Sequence, residues 1–167
     1  MKAFIESQFA YCPLTWMFHD RTVNQKINRV HERALRIVYE DDISSFDELL
    51  KKDQSVKIHH RNIQLLAVEL YKTKHDISPL IMKDIFLPKI VQEDNMRTQS
   101  DFLLPPVKTV HYGHDSLRYF GAVVWDMIPS NIRNIDTHEK FKNKIKTWLP
   151  NCLCRLCKEY VQGIGYV

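Results

Sequence analysis

Glycine and long apolar runs are both scarce in this sequence, and each scarcity excludes a class of protein. The 167 residues include 4 glycines, too few for an all-β architecture built from tight turns. No apolar stretch approaches the roughly 20 residues that a membrane-spanning helix needs. Glu6 interrupts the apolar N-terminal stretch that a signal peptide would require. The sequence therefore predicts a protein with neither a membrane span nor a secretory leader.

The 4 cysteines are few and unevenly placed. Cys152, Cys154 and Cys157 lie near the C-terminal end, far from Cys12. A secreted disulfide framework spreads its cysteines more evenly, so we expect a reducing compartment, cytoplasmic or nuclear. The three clustered thiols suit zinc if His138 or Cys12 supplies a fourth ligand, or they are inert thiols in an apolar patch. No standard zinc spacing is present, so the sequence predicts no cofactor and leaves zinc as the alternative.

Charged residues make up 26% of the chain and apolar residues 44%, proportions typical of a globular protein of one domain, or one and a half. The net charge of +4 is mild and unevenly spread. Residues 1–40, 57–75 and 133–159 are basic, whereas residues 41–53 are acidic. This alternation predicts defined basic surfaces rather than a chain that binds any polyanion.

Residues 23–40 have the clearest helical pattern in the chain. Apolar residues recur at alternating gaps of four and three, at Val23, Ile27, Val30, Ala34 and Ile37. Cations repeat this alternation one residue earlier, at Lys26, Arg29, Arg33 and Arg36. The basic row therefore lies beside the apolar row, and we expect the apolar row in the core and the cations against nucleic-acid phosphates. The alternative is a solvated face whose arginine stems cover the edge of the core.

Capping signals predict further helices. Ser45 and Glu48 have capping-box spacing for a helix over 46–52. Ser55 is the predicted cap of a helix through residue 74, and that helix also carries Lys57 and Arg61. Its predicted buried face consists of Ile63, Leu66, Ala67 and Leu70. Ser78 and Pro79 are the predicted start of a helix that ends near Phe86.

The C-terminal half is predicted to be an extended arm followed by two helices. The arm, residues 87–113, contains three prolines and short strand candidates at 102–104 and 107–110. Asp115 is the predicted cap of a helix with Leu117, Phe120, Val124 and Met127 on one side. A box of Asp136 and Glu139 is predicted to open the last helix. In that helix Phe141, Ile145 and Trp148 form the predicted buried stripe, surrounded by Lys140, Lys142, Lys144 and Lys146. The predicted fold class is therefore mainly α.

Three blocks occur in an order that is specific as a set: YCPLTW at 11–16, INRVHERALRIV at 27–38 and GAVVWDMIP at 121–129. Together they resemble the segment that follows the catalytic palm in non-LTR (LINE-type) retrotransposon reverse transcriptases, over nearly the whole chain. The resemblance implies a thumb-like helical bundle over 1–86, the connecting arm over 87–113 and a C-terminal extension with a cysteine-rich tail over 114–167.

The same resemblance implies a partner. A thumb grips the template–primer duplex, so we expect weak, sequence-independent and salt-sensitive binding to RNA or an RNA–DNA duplex. The expected contacts are Lys26, Arg29, Arg33, Arg36, Lys57 and Arg61, with the lysines at 140–146 as further cationic helpers. Endonuclease, fingers and palm have no counterpart here, so the implied function is that of a non-catalytic fragment, not an enzyme. The apolar start at Met1 fits an internal position of a longer protein.

Tyr39-Glu40-Asp41-Asp42 matches the Tyr-x-Asp-Asp turn in which reverse transcriptases hold Mg²⁺. That turn lies between two strands and needs a third aspartate from a neighbouring strand. Here a helical pattern precedes it, and only 38 residues stand before Tyr39, too few for fingers and palm. The sequence favours an ordinary helix end with no catalytic residue.

A second hypothesis comes from a different class of function. The helices would form a protein-interaction or oligomerisation module with no nucleic-acid role. Tyr11, Trp16 and Phe18 are predicted anchors of the core. In this alternative they lie, with Ile5, on an exposed apolar surface that mediates self-association.

Overall fold

The computed structural model describes residues 7–89, 101–109, 113 and 116–150. Within these residues the regular structure is helical and contains no strand, which confirms the predicted mainly-α class. In chain order the helices are α1 (Ser7–Ala10), α2 (Pro13–Trp16), α3 (Arg21–Tyr39), α4 (Phe46–Asp53), α5 (Ile58–Lys74), α6 (Leu80–Ile85), α7 (Leu117–Met127), α8 (Ser130–Arg133) and α9 (His138–Thr147). None of these helices combines the length and the apolar character needed to cross a bilayer.

The chain divides into two compact units, and the division falls between Asn62 and Ile63, inside α5. The described residues of the first unit are 7–62, and those of the second are 63–89, 101–109, 113 and 116–150. The predicted divisions at residues 86 and 113 stay predictions.

Helix α3 is the longest helix of the first unit and has well-defined ends. Its cap is Asp20, whose Oδ1 accepts a hydrogen bond from the backbone N–H of Val23 at 2.8 Å. It ends at Glu40, which adopts a left-handed conformation (φ 48°) and donates its N–H to the carbonyl of Arg36. The helix predicted over 23–40 is therefore confirmed.

The face that α3 buries differs from the predicted one. Its buried residues are Asn24, His31, Ala34 and Leu35. Three members of the predicted apolar row are exposed, Val23 at 40%, Val30 at 52% and Ile37 at 71%. At about 100° per residue, the buried face lies roughly a fifth of a turn from the predicted one.

Packing against α4 explains this rotation. Leu35 clusters with Leu49 and Leu50, and Phe46 packs against them. The ring of His31 meets Phe46 edge-on, with 5.6 Å between ring centroids. Leu35 stands outside the alternating pattern of the predicted apolar row. The predicted face is confirmed for Ala34, which is buried, and was wrong for the two valines and Ile37, because tertiary contacts selected this leucine and a histidine instead.

The capping box that starts α4 is confirmed. The N–H of Ser45 donates to Glu48 Oε2 at 2.7 Å, and the N–H of Glu48 donates to Ser45 Oγ at 3.4 Å. The Asp41 carboxylate shapes the preceding turn. It accepts hydrogen bonds from the N–H of Ser44 at 2.9 Å and from the hydroxyl of Ser44 at 2.7 Å, and it pairs with the ammonium of Lys52.

In the second unit, the predicted buried face of α5 is confirmed, since all four side chains are fully buried: Ile63, Leu66, Ala67 and Leu70. The predicted cap of α5 is wrong. The helix begins at Ile58 rather than beside Ser55. The N–H of Arg61 donates a backbone hydrogen bond to the carbonyl of Lys57 at the start of this helix. The Ser55 hydroxyl is buried and has no hydrogen-bond partner in the described part of the chain.

Three other predicted helix starts also differ from the structure. Pro79, not Ser78, is the cap residue of α6. Ser116 caps α7 by accepting a hydrogen bond from the N–H of Tyr119 at 3.3 Å, and Asp115 lies outside the described residues. Thr137 precedes α9 without a side-chain cap bond, so the predicted Asp136–Glu139 box is not formed. The short helix α8 had no sequence prediction.

In place of the strand candidates, the described part of the arm contains one antiparallel bridge, between Pro88 and Phe102. Two backbone hydrogen bonds of 2.9 Å flank it, from Lys89 to Asp101 and from Leu103 to Leu87. Residues 103–109 contain no further regular structure, and residue 110 lies outside the described part. Because Pro88 has no N–H to extend a ladder, the strand candidate at 102–104 is only a bridge, and no strand occurs at 107–109.

Aromatic side chains dominate the core of the second unit. Tyr71 stacks on Phe141 with 4.2 Å between ring centroids, and Trp125 meets Phe102 edge-on at 5.5 Å. All four rings are at most 2% exposed. The predicted stripe of α9 is confirmed for Phe141 and Ile145, which are buried, whereas Trp148 is half-buried. This core fixes the position of α9 within the second unit.

Candidate nucleic-acid interface

Lys26, Arg29 and Arg33 form an exposed basic row on α3. With about 100° of turn per residue, all three project from the side of the helix opposite Leu35. They span about 10 Å along the helix axis. Within the described residues, no carboxylate lies within ion-pair distance of any of the three. The structure therefore brings three of the predicted contacts together on one solvent-facing surface.

Arg36, the fourth cation of the predicted row, has partners inside the protein. Its guanidinium forms an ion pair with Glu32 at 2.7 Å and donates a second hydrogen bond to the carbonyl of Asp41 at 3.2 Å. The side chain is 25% exposed. Glu32 offsets its charge, so Arg36 is a weaker phosphate ligand than the other three.

Lys57 and Arg61 are also engaged within the protein. The ammonium of Lys57 pairs with Asp47 at 3.1 Å and lies 5.8 Å from the ring centroid of Phe46. Its side chain is only 17% exposed. Arg61 is half-buried and also has an interaction partner. Both side chains are therefore less exposed than the three cations of the α3 row.

An exposed apolar row accompanies the basic row, which the sequence prediction missed. Val23, Val30 and Ile37 recur every seven residues and lie on the flank of the three cations. Their periodicity is visible in the sequence. The signal was assigned to the core because an apolar row at helical spacing is usually buried.

The Tyr-x-Asp-Asp match lies in a helix end. Tyr39 is the last residue of α3, and its hydroxyl donates to Asp53 at 2.9 Å, a bond that raises the pKa of the phenol. The hydrogen bond from Lys52, with those from Ser44, lowers the pKa of Asp41. Among the described residues, no three His, Cys, Asp or Glu side chains are grouped to hold a metal ion.

The candidate zinc ligands are only partly described. Cys152, Cys154 and Cys157 lie outside the described residues, so zinc binding stays a prediction. Cys12 is exposed and precedes α2 in a left-handed conformation. His138 is the half-buried first residue of α9.

The predicted aromatic anchors near the N-terminus do not form a deep core. Tyr11 is 78% exposed, so its prediction as a core anchor was wrong. Trp16 and Phe18 are half-buried. The indole N–H of Trp16 donates to the carbonyl of Tyr11 at 2.9 Å, which holds the backbone of this segment while the Tyr11 ring faces solvent. Ile5 lies outside the described residues.

Comparisons of the chain with protein-family models, curated proteins and solved structures gave no match. The geometry of α3 and the residue blocks described above therefore carry the functional argument.

Proposed function

We propose that the chain is a non-catalytic thumb and C-terminal region of a retrotransposon reverse transcriptase that binds an RNA–DNA duplex or RNA through α3. The proposed contacts are Lys26, Arg29 and Arg33. The observation that carries this proposal is their common exposure without a carboxylate partner among the described residues. By contrast, a carboxylate offsets the charge of six other cations: Arg36, Lys52, Lys57, Lys72, Lys74 and Lys83.

The chemistry of the row suits a phosphate backbone. Two guanidinium groups can each donate a fork of hydrogen bonds to a phosphate, and an ammonium adds a point charge. A row of about 10 Å can reach about three consecutive phosphates of one strand. Backbone contacts carry no base sequence, so binding is sequence-independent. The residue blocks that resemble the reverse-transcriptase thumb support an RNA-containing duplex as the partner.

The expected salt dependence tests the proposal. Three neutralised phosphates predict a slope of log affinity against log salt between about −2 and −3. Replacing the row by Lys26→Ala, Arg29→Ala and Arg33→Ala should remove most of this slope. Fluorescence anisotropy with a labelled RNA–DNA hybrid, titrated at several salt concentrations, measures it.

Two controls sharpen this measurement. Arg36→Ala alone should change the slope by less than one unit, because Glu32 already offsets that charge. Thr22→Ala with Gln25→Ala alters exposed neutral positions of the same helix and should leave binding unchanged. Equal slopes for the wild type and the triple variant would remove the proposal and leave the row as an ordinary solvated face.

The second candidate is the protein-interaction or oligomerisation module. The exposed row of Val23, Val30 and Ile37 favours it, because apolar residues that repeat every seven positions are the seam by which helices pair. Its interface thus differs from the predicted N-terminal aromatic surface. Self-association in the absence of nucleic acid distinguishes this module from duplex binding.

A further inference from the structure

Helix α9 carries lysines on two opposite edges. Lys140 and Lys144 lie on one edge, and Lys142 and Lys146 lie on the other, about 160° away around the helix. All four are exposed. The arc between the two edges faces solvent and carries Glu139, Asn143 and Thr147. The exposed surface therefore has two cationic margins and a polar centre, in which Asn143 and Thr147 follow the single carboxylate of Glu139 in the first turn.

The core of the second unit holds this helix in place. Phe141 stacks on Tyr71, and Ile145 is buried beside it on the inner face of α9. At the C-terminal end, the side-chain amide of Gln64 donates to the carbonyl of Trp148 at 2.7 Å and to that of Lys146 at 3.3 Å. The lysine edges thus stand on a fixed backbone, and binding need not order the helix.

The four ammonium groups differ from other cations of the second unit. Acidic side chains lie within ion-pair distance of Lys72, Lys74, Lys83 and Arg133. Across the described residues, no such pair involves a lysine of α9. Glu139 is the one acidic residue in the ten residues of this helix. The helix consequently has four cationic charges available to an external anion.

We infer that α9 binds double-stranded DNA by lying in its major groove. An α-helix with side chains is about 10–12 Å across, and the major groove of B-form DNA is about 12 Å wide. Each lysine edge then meets the phosphates of one groove wall. Asn143 and Thr147 face the base edges, where an Asn side chain can pair with the N6 and N7 atoms of adenine. This site is separate from the α3 row and does not rest on the function proposed for that row.

The spacing of the charges selects this ligand over other polyanions. A single strand or an acidic protein patch is contacted by one cationic edge, whereas two edges a helix width apart match two walls of phosphate. The major groove of A-form RNA is too deep and narrow to admit the helix. We therefore expect α9 to prefer B-form DNA to an RNA duplex of the same sequence.

The test compares the full-length chain on two duplexes of about 20 base pairs, one of DNA and one of RNA, by anisotropy across a range of salt. With the α3 row replaced by alanine, the chain should bind the DNA duplex at least several-fold more tightly than the RNA duplex. Each edge variant, Lys140→Ala with Lys144→Ala or Lys142→Ala with Lys146→Ala, should reduce the DNA salt slope by about 2. The quadruple variant should abolish the preference for DNA.

The control variants keep this outcome distinct from binding by α3. The triple alanine variant of α3 is the background for the edge variants, because that row is itself proposed to bind RNA, and in this background a difference between the two duplexes reports α9. Asn143→Ala should reduce discrimination among DNA sequences while retaining the salt slope. Because all substituted side chains are exposed, circular dichroism should show unchanged folding.

Three results would overturn the inference. Equal affinity of the α3 triple alanine variant for both duplexes would exclude groove recognition. Loss of binding from only one edge variant would indicate a single contacted strand. Displacement of the DNA by polyglutamate at equal charge concentration would indicate an acidic protein as the partner.

Discussion

Asp101 connects three parts of the second unit through one side chain. Its Oδ2 accepts hydrogen bonds from the ammonium of Lys74 at 2.8 Å and from the indole N–H of Trp125 at 2.6 Å. The same ammonium lies 5.5 Å from the ring centroid of Trp125. Burial disfavours the charged carboxylate, but the hydrogen bonds from Lys74 and Trp125 outweigh it and lower the pKa of Asp101. The carboxylate thus fastens the segment around residue 101 to α5 and α7.

Replacing this carboxylate should destabilise the fold in a pH-dependent way. Asp101→Asn keeps the size of the side chain but loses the charge, and we expect a loss of about 1–3 kcal/mol at pH 7. The pKa of Asp101 is lower in the folded state, so its stabilisation is complete above the unfolded value of about 4 and declines as pH falls below it. The difference between wild type and variant should therefore shrink at about pH 3.

Urea unfolding of both proteins at the two pH values measures this difference. Asp84→Asn is the matched control, because Asp84 is exposed and has no ion-pair partner within the described residues. It should show no comparable loss at either pH. An equal loss for Asp101→Asn at both pH values would show that packing, and not the charge, accounts for the effect.

At the scale of elements, the sequence predicted the helices better than their faces and caps. Periodicity located α3, α5 and α9, because their apolar residues recur with the helical period. The Ser45–Glu48 box succeeded because both halves of a local motif lie within four residues. Caps at Ser55 and Ser78 failed because several nearby residues can end a helix, and tertiary packing selects among them.

The candidate site was also predicted only in part, because tertiary contacts that the sequence does not show decide which cations are available. Helical periodicity correctly predicted that Lys26, Arg29 and Arg33 lie on one side of one helix. It could not show that Glu32 and Asp47 offset Arg36 and Lys57, because each ion pair depends on a side-chain conformation or on a neighbouring helix. The sequence also could not reveal that the two valines of α3 are exposed, because the face of α3 that is buried depends on which of its sides packs against α4.

Helix α7 offers a prediction in which helix propensity and packing oppose each other. Gly121 is buried in the middle of the helix, where alanine would favour the helical backbone by about 1 kcal/mol. A Cβ at this position would come within 2.9 Å of Cδ1 of Phe86 and closer still to Cε1. Phe86 is itself buried against Phe102 and cannot move freely. Overpacking costs about 1–3 kcal/mol, so Gly121→Ala should be destabilising overall.

A double-mutant cycle with Phe86→Leu tests this prediction by chemical unfolding. The smaller side chain makes room for the new methyl group, so the two substitutions together should cost less than the sum of their separate effects. Additive costs would mean that the ring is not the obstacle. A stabilising single Gly121→Ala substitution would show that helix propensity dominates.

At the scale of the whole molecule, the distribution of charge indicates the binding surfaces better than the net charge does. The chain carries a net charge of +4, yet cations without carboxylate partners in the described regions are concentrated on α3 and α9. One of these helices belongs to each compact unit. Ion pairs on other parts of the surface contribute little to stability. They do neutralise the cations there, so α3 and α9 are the principal cationic surfaces of the described residues. Both proposed contacts therefore weaken as salt rises.

Salt dependence also decides between duplex binding and self-association through α3. Two copies that meet through Val23, Val30 and Ile37 would bring their flanking cations close together, and this repulsion is screened as salt rises. Self-association should therefore strengthen between about 50 mM and about 500 mM salt, opposite to nucleic-acid binding. Sedimentation equilibrium without nucleic acid measures this self-association, and the double substitution Val30→Ser with Ile37→Ser should abolish it.

The control is Leu80→Ser with Ile81→Ser, which removes comparably exposed apolar groups from the second unit and should leave the sedimentation behaviour unchanged. A wild-type monomer at every salt concentration would exclude the self-associating module, whereas an equal effect of both double variants would reduce it to non-specific apolar adhesion.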